Sequence, residues 1–288
     1  MKVVFLDRRS LWVSFVVSLG VILCCLLTYS GSIAVSSSAE AGVKMPILMY
    51  HSILQSPQTA GQYVLTCAEL ENDLRWLRDN GYESVVVGDL LAYVYQGTPL
   101  PAKPVMITFD DGHLNNLLYV LPLLEKYDMR AVFSVVGEFS DRYTAAPDRN
   151  ANYAVMTWED IKIAVASGRV EIQNHSYNMH QQGERMGASK VSGESVEEYE
   201  SVLLSDIALL QKKLEAACGI LPTAFAYPFG FISPVSDNIV KKSGLLATLT
   251  CYEHMNYITR DPDCLFSLGR YNRPAGISTE SFMKKILK

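Results

Sequence analysis

The 288-residue sequence has no Lys/Arg-rich run, no repeat of fixed period and no C-x-x-C pair. The first absence, with 25 basic against 30 acidic residues and a formal charge of -5, removes the electrostatic footprint that nucleic acid requires. The second excludes a repeat architecture, and the third argues against a zinc knuckle. Cys24 and Cys25 lie in an apolar run, which leaves Cys67, Cys218, Cys251 and Cys264. A Cys251–Cys264 disulfide and four buried thiols are both open for these. Charge is sparse as well, at 19% against 49% hydrophobic residues, so the chain is no disordered tail. It can bury a large core as one domain of barrel or layered α/β type.

What is present begins at the N-terminus. Lys2, Arg8 and Arg9 precede LWVSFVVSLGVILCCLLTY (11 to 29), an uncharged run about long enough to span a bilayer, and SGSIAVSSSAEAG follows. Positive charge ahead of the run holds the N-terminus inside, so the chain beyond about residue 30 is expected outside the cytoplasm. Residues 1–40 read as a signal or membrane-anchor segment with its linker, ahead of a single folded domain over 41–288. Ser37, Ala39 and Ala41 suit a peptidase while the length of the run suits a retained anchor, so the domain is membrane-anchored or secreted.

Within the domain, apolar or β-branched runs alternate with helical patterns. PILMYH leads to TCAELENDLRWLRDNG, where Thr66 and Glu69 have capping-box spacing and Gly81 suits the stop. YESVVVGD, VMITFDD, RAVFSVVG, VEIQNH, AFAYPFG, LLATLTC and LFSLGRYN continue the strands. The helical patterns between them include SVEEYESVLLSDIALLQKKLEAACG, and SPVSDNIVKKSG with Ser233 as N-cap and Pro234 at the first helical position. Alternating β and α units with near-continuous apolar strands predict a parallel sheet covered on both faces, and seven or eight units favour a closed barrel.

In such a barrel the chemistry sits where strands end and loops begin. His51, the pair Asp110 and Asp111, His175, and Pro228 to Gly230 all fall at predicted strand ends. Adjacent carboxylates repel and resist burial, so a cation or a shared proton is expected beside Asp110 and Asp111. His175 and His180, five apart in EIQNHSYNMH, would diverge by about 140° on a helix and face opposite ways on a strand, so a loop must bring the second back. Two neutral imidazoles and one carboxylate form a common three-ligand site for a divalent metal with open positions. His113 and His254 read instead as loop or surface residues. Tyr177, Phe229 and Tyr271 suit either sugar stacking or barrel packing.

TFDDG (108 to 112), HSYNMH (175 to 180) and AYPFG (226 to 230) resemble the successive motifs of the polysaccharide deacetylases of the NodB-homology type, carbohydrate esterase family 4, over roughly residues 44 to 275. The resemblance implies a distorted (β/α)7-type barrel that hydrolyses N-acetyl groups of a polysaccharide with one divalent ion, zinc first and cobalt, nickel or iron as alternatives. It also implies Asp111, His175 and His180 as metal ligands and Asp110 as general base. Two departures from the family pattern matter: Ala226 stands where an Arg is expected, and no histidine follows His254 to supply the late general acid. The longer histidine spacing is similar to the branch acting on poly-β-1,6-N-acetylglucosamine, which places its acid on an early strand, so His51 takes that role. Arg270, in LGRYNRP, is the candidate to replace the missing Arg beside Asp110. A backbone N–H near Phe229 is the candidate donor to the oxyanion. The expected partners are an acetylated polysaccharide, with poly-N-acetylglucosamine ahead of peptidoglycan, and the membrane through the N-terminal run. Nucleic acid is excluded and the chain is expected to be a monomer. The alternative is a surface carbohydrate-binding protein that kept the pocket and lost catalysis, which Ala226 favours.

Overall fold

The computed structural model describes residues 42–287, so the N-terminal apolar segment and its expected export or anchoring role lie outside the described residues. Twelve strands are present among them: β1 (Val43–Met45), β2 (Ile47–Tyr50), β3 (Ser52–Leu54), β4 (Val64–Thr66), β5 (Glu83–Val85), β6 (Pro104–Phe109), β7 (Ala131–Val135), β8 (Val170–Asn174), β9 (Ala224–Ala226), β10 (Ala247–Leu249), β11 (Asn256–Ile258) and β12 (Tyr271–Asn272). The main sheet runs β10-β9-β8-β7-β6-β2-β12, with every pairing parallel. β5 lies in parallel beside the first half of β6, on the edge whose second half takes β7. The sheet curls until its ends approach. Leu268 bridges Leu249 in parallel, with Leu268 N–H donating to Thr248 O at 2.9 Å and Thr250 N–H to Leu268 O at 2.8 Å. Parallel strands carrying helices thus form the expected distorted barrel.

Strand alternation sorts the side chains into two layers. Ile47, Met106, Val132, Ala224, Ala226, Ala247 and Leu249 fill the barrel interior. Their neighbours Leu48, Tyr50, Ile107, Phe109, Phe133 and Ile172 face outward, beneath the helices and against Leu70, Leu74 and Leu77. All six residues of β6 and all five of β7 are buried, as a sheet covered on both faces demands. The same period carries past the strand ends: Asp110 follows Met106 and Thr108 into the interior, and His175 is out of phase with outward Ile172.

The helix Cys67–Asp79 opens on the Thr66–Glu69 capping box, with both reciprocal hydrogen bonds formed. Val196–Cys218 presents Tyr199, Leu203, Ile207, Leu210 and Leu214 to the sheet at helical spacing and ends on left-handed Gly219. Three elements differ from the sequence reading. GEFSDRYTA forms a helix, Gly137–Ala145, that lacked an apolar period to announce it. The stretch after TFDDG divides into a π-helical turn, Asn116–Val120, and the helix Leu121–Tyr127, with Pro122 in its first turn where a missing N–H costs nothing. The helix expected to start on Ser233 and Pro234 instead begins at Ser236. Ser233 N–H donates to Ser236 Oγ and Ser236 N–H to Ser233 O, both at 2.9 Å, so these residues close a turn ahead of the helix.

Candidate active site

Two consecutive left-handed residues, Asp111 (φ 70°) and Gly112 (φ 72°), reverse the chain at the end of β6. Only glycine takes that conformation without cost, and an aspartate tolerates it better than most. The reversal separates the neighbouring carboxylates. Asp110 continues into the barrel and is buried, while Asp111 turns toward the ends of β8 and β9.

His175 follows β8 directly and is buried, and its Nδ1 lies 2.7 Å from Ala226 O. That carbonyl can only accept, so Nδ1 carries a proton and in the neutral ring Nε2 is the nitrogen with a free lone pair. Ser176, left-handed at φ 74°, begins the turn that returns His180. His180 Nε2 then stands 2.9 Å from Asp111 Oδ1, and His175 Nε2 3.5 Å from the same oxygen. Donor atoms of all three residues lie within 4.8 Å of one another. Asp111 Oδ1 is buried without a hydrogen-bond partner among the described residues. An orphaned carboxylate oxygen facing two imidazole nitrogens fits a divalent metal, so these residues can hold one. Burial pushes the Asp111 carboxyl up, yet the imidazoles of His113, His175 and His180 around it hold it well below its ordinary value. Burial opposes charge on His175, but the Asp110 and Asp111 carboxylates raise it above the usual histidine value.

Asp110 meets Arg270 in a bidentate pair, Nη1 donating to Oδ1 at 2.8 Å and Nη2 to Oδ2 at 2.7 Å. The guanidinium is fully buried and also donates through Nε to Thr250 O at 2.8 Å. Burial raises the Asp110 carboxyl and Arg270 then lowers it below its ordinary value, so it remains ionised. Arg270 enters from the segment that closes the barrel, 160 residues from its partner.

His51, one residue past β2, has a buried Nδ1 with no hydrogen-bond partner among the described residues, and its ring meets the edge of Tyr63 at 4.9 Å. Burial lowers its pKa, while the nearby Asp111 and Asp110 charges pull the other way. Phe229, left-handed at φ 57° and 37% exposed, tilts over His180 with ring centroids 4.3 Å apart. The structure therefore brings His51, Asp110, Asp111, His175, His180, Phe229 and Arg270 to one end of the barrel.

His113, expected on a loop or the surface, lies half-buried in the connection after β6, and the Asp111–Gly112 reversal folds it back until Nε2 is 3.5 Å from Asp111 Oδ2. Its Nδ1 is buried without a hydrogen-bond partner among the described residues. The left-handed pair was the missed signal, because TFDDGH read as an ordinary helix start does not reverse. Phe139, edge-on to His180 at 5.5 Å, was missed with its helix. His254 is exposed, as expected. Tyr177 points its hydroxyl at Asp141 (2.9 Å) and Tyr271 packs on the outer core. The four cysteines of the domain are free thiols.

Poly-beta-1,6-N-acetyl-D-glucosamine N-deacetylase of Escherichia coli (strain K12) is 25% identical over 197 residues, 61% of this chain and 29% of that protein. The enzyme of the same name from Staphylococcus aureus (strain MRSA252) is 23% identical over 186 residues, 64% of this chain and 59% of that one. The match thus spans less than two thirds of either relative. IcaB from Ammonifex degensii superposes with a TM-score of 0.66 at 26% identity, covering 86% of this chain and 97% of that one. Streptococcus pyogenes PplD, solved with acetate, shares the fold at a TM-score of 0.69 and 22% identity, over 85% and 99% of the chains. The polysaccharide deacetylase family model matches residues 97–248, from ahead of β6 into β10 and across TFDDG, HSYNMH and AYPFG. With more than half of its residues in that match, the chain belongs to the polysaccharide deacetylase family.

Proposed function

We propose that this chain removes N-acetyl groups from N-acetylglucosamine units of a polysaccharide outside the cytoplasm, with poly-β-1,6-N-acetylglucosamine the favoured polymer and peptidoglycan the other. The observation that carries this reading is the separation of Asp110 from Asp111: one carboxylate is locked to Arg270, and the other faces two imidazole nitrogens. The names of the Escherichia coli and Staphylococcus aureus relatives support the choice of polymer.

Asp111, His175 and His180 would hold a divalent ion, zinc first, which would supply Lewis acidity toward the acetamide carbonyl and bring the pKa of a water down toward neutrality. Asp110 is ionised, and each of its oxygens keeps a lone pair beyond the Arg270 bonds, so it accepts the proton of the attacking water. Arg270 fixes the direction of that carboxylate. Phe229, at the rim beside His180, is assigned the backbone N–H that faces the developing oxyanion. His51 protonates the departing amine, and the burial that lowers its pKa makes its imidazolium the stronger acid. The binder alternative rested on Ala226, and Arg270 on Asp110 removes that support.

The test is acetate release from β-1,6- and β-1,4-linked N-acetylglucosamine oligomers and peptidoglycan fragments by metal-reconstituted protein, with and without chelator. Release from the β-1,6 oligomers that stops on chelation is expected. No acetate from any of the three with metal present would leave the binder. For location, a reporter fused after residue 45 should be active only outside the cytoplasm, in the membrane fraction if the apolar run is retained and in the medium if it is cleaved.

A further inference from the structure

The loop that carries His180 back to Asp111 is neither helix nor strand, and a ligand on an irregular loop is only as well placed as its backbone. Each backbone N–H from Ser176 to Met179 nevertheless has a partner. Ser176 N–H donates to Asn174 Oδ1 at 2.8 Å, and Met179 N–H to Ser176 Oγ at 3.0 Å. Between them, Tyr177 N–H donates to Asp206 Oδ1 at 2.7 Å and Asn178 N–H to Asp206 Oδ2 at 2.8 Å. The carbonyls of Ser176 and Tyr177 accept from Gly137 N–H (3.1 Å) and Glu138 N–H (2.8 Å). Gly137 permits this approach, since a Cβ there would stand 2.5 Å from the Tyr177 ring.

Asp206 stands apart in this set. It lies in the middle of the helix Val196–Cys218, where aspartate is a poor helix former, and burial raises its carboxyl above the ordinary value. Neither cost is offset within its own helix, and both of its oxygens are directed at the histidine loop. Neighbouring Ile207 also reaches that strand end, its carbonyl accepting from Asn174 Nδ2 at 3.3 Å.

We propose that Asp206 is a positioning residue for the metal site: its carboxylate fixes the backbone of residues 177 and 178, so that His180 is already aimed at Asp111 before an ion binds. This rests on the reading of Asp111, His175 and His180 as metal ligands. The bidentate grip accommodates the five-residue spacing of the histidines, because it holds the two successive N–H groups of a loop that would otherwise be free to rotate.

The test is calorimetric titration of the chelator-stripped full chain with Zn²⁺ alone, beside the visible spectrum of the Co²⁺ form and the melting temperature of the metal-free protein. Asp206→Ala should weaken Zn²⁺ binding by about 10–100-fold, the usual effect of losing a group that orients a ligand, and should alter the Co²⁺ bands. Asp206→Asn keeps one acceptor oxygen and the shape of the side chain, so it should bind with intermediate affinity. It also reads the same effect if the alanine variant does not fold. A folded variant with wild-type Zn²⁺ affinity and Co²⁺ spectrum, even with a lowered melting temperature, would show that Asp206 serves the fold alone and would overturn the proposal. If the wild-type chain itself bound no Zn²⁺, the metal reading would fail first and this proposal with it.

Discussion

Replacing Asp111 or His175 by Ala removes a proposed ligand atom and should lower metal content, whereas Asp110→Asn should keep the metal and lose turnover. Metal analysis of the purified variants decides this, and an Asp110→Asn protein that lost its metal while Asp111→Asn kept it would reverse the two roles. Asp110→Asn should also be less stable, because a guanidinium with no solvent access would face a neutral amide. His51→Ala should retain metal and fold but lose about 10²–10⁴-fold in amide turnover, the usual worth of a general acid. An ester substrate, whose leaving group needs less help from a proton, should suffer less. Near-full amide activity in His51→Ala would pass the acid role to His113 or to water. These residues were legible because each closes an apolar strand and the motifs name them in order. His113 was not legible, since its position depends on two left-handed residues that the letters Asp and Gly permit without demanding.

Helix starts were read well where a capping box spells them out and poorly elsewhere. Thr66 with Glu69 was visible, but the turn closed by Ser233 and Ser236 depends on Ser236 being drawn inward, where its hydroxyl lies 2.6 Å from that of Tyr199. Thr157 and Asp160 form another full capping box, at the start of the helix Trp158–Ala166. Burial raises the Asp160 carboxyl, but Arg149 and Thr157 bind it and hold it below its ordinary value. A carboxylate lowered in the folded state contributes stability above its unfolded pKa of about 3.9 and loses it as pH falls through the lower folded value. Asp160→Asn should therefore be less stable than wild type near pH 7, with the gap closing below about pH 4. Denaturant melts across that range measure it, and a gap independent of pH would contradict the assignment. Thr157→Ala should cost about 1 kcal/mol near pH 7, as loss of an N-cap does.

For the molecule as a whole, the fold class and its closure into a barrel followed from the number of alternating β and α runs, while the contacts that close the ring did not. β12 has two residues, and the approach to β10 is a single bridge from Leu268, ahead of it in the chain, too little pattern for a sequence reading to register. An ion that binds only the folded barrel should add about 2.7 kcal/mol at a hundredfold excess over Kd, or about 5–11 °C in melting temperature for a domain of this size. Scans with and without chelator check this, and identical curves would argue that the three ligands hold no ion.

The closing segment has a temporal consequence. Arg270 neutralises Asp110, Arg273 donates to buried Asp73 at 2.8 and 3.1 Å, and β12 completes the edge of β2. A chain synthesised from its N-terminus therefore buries Asp73 and Asp110 against charges that arrive roughly two hundred and 160 residues later. Such late contacts carry a large loop-closure cost and slow folding. Until they form, the nascent barrel carries two uncompensated carboxylates and an open β2 edge, a state that cannot settle in its final form. Asp110 is thus put in order by the last part of the barrel to emerge, so the proposed hydrolytic competence would appear all at once, with ring closure, and not gradually as the chain lengthens.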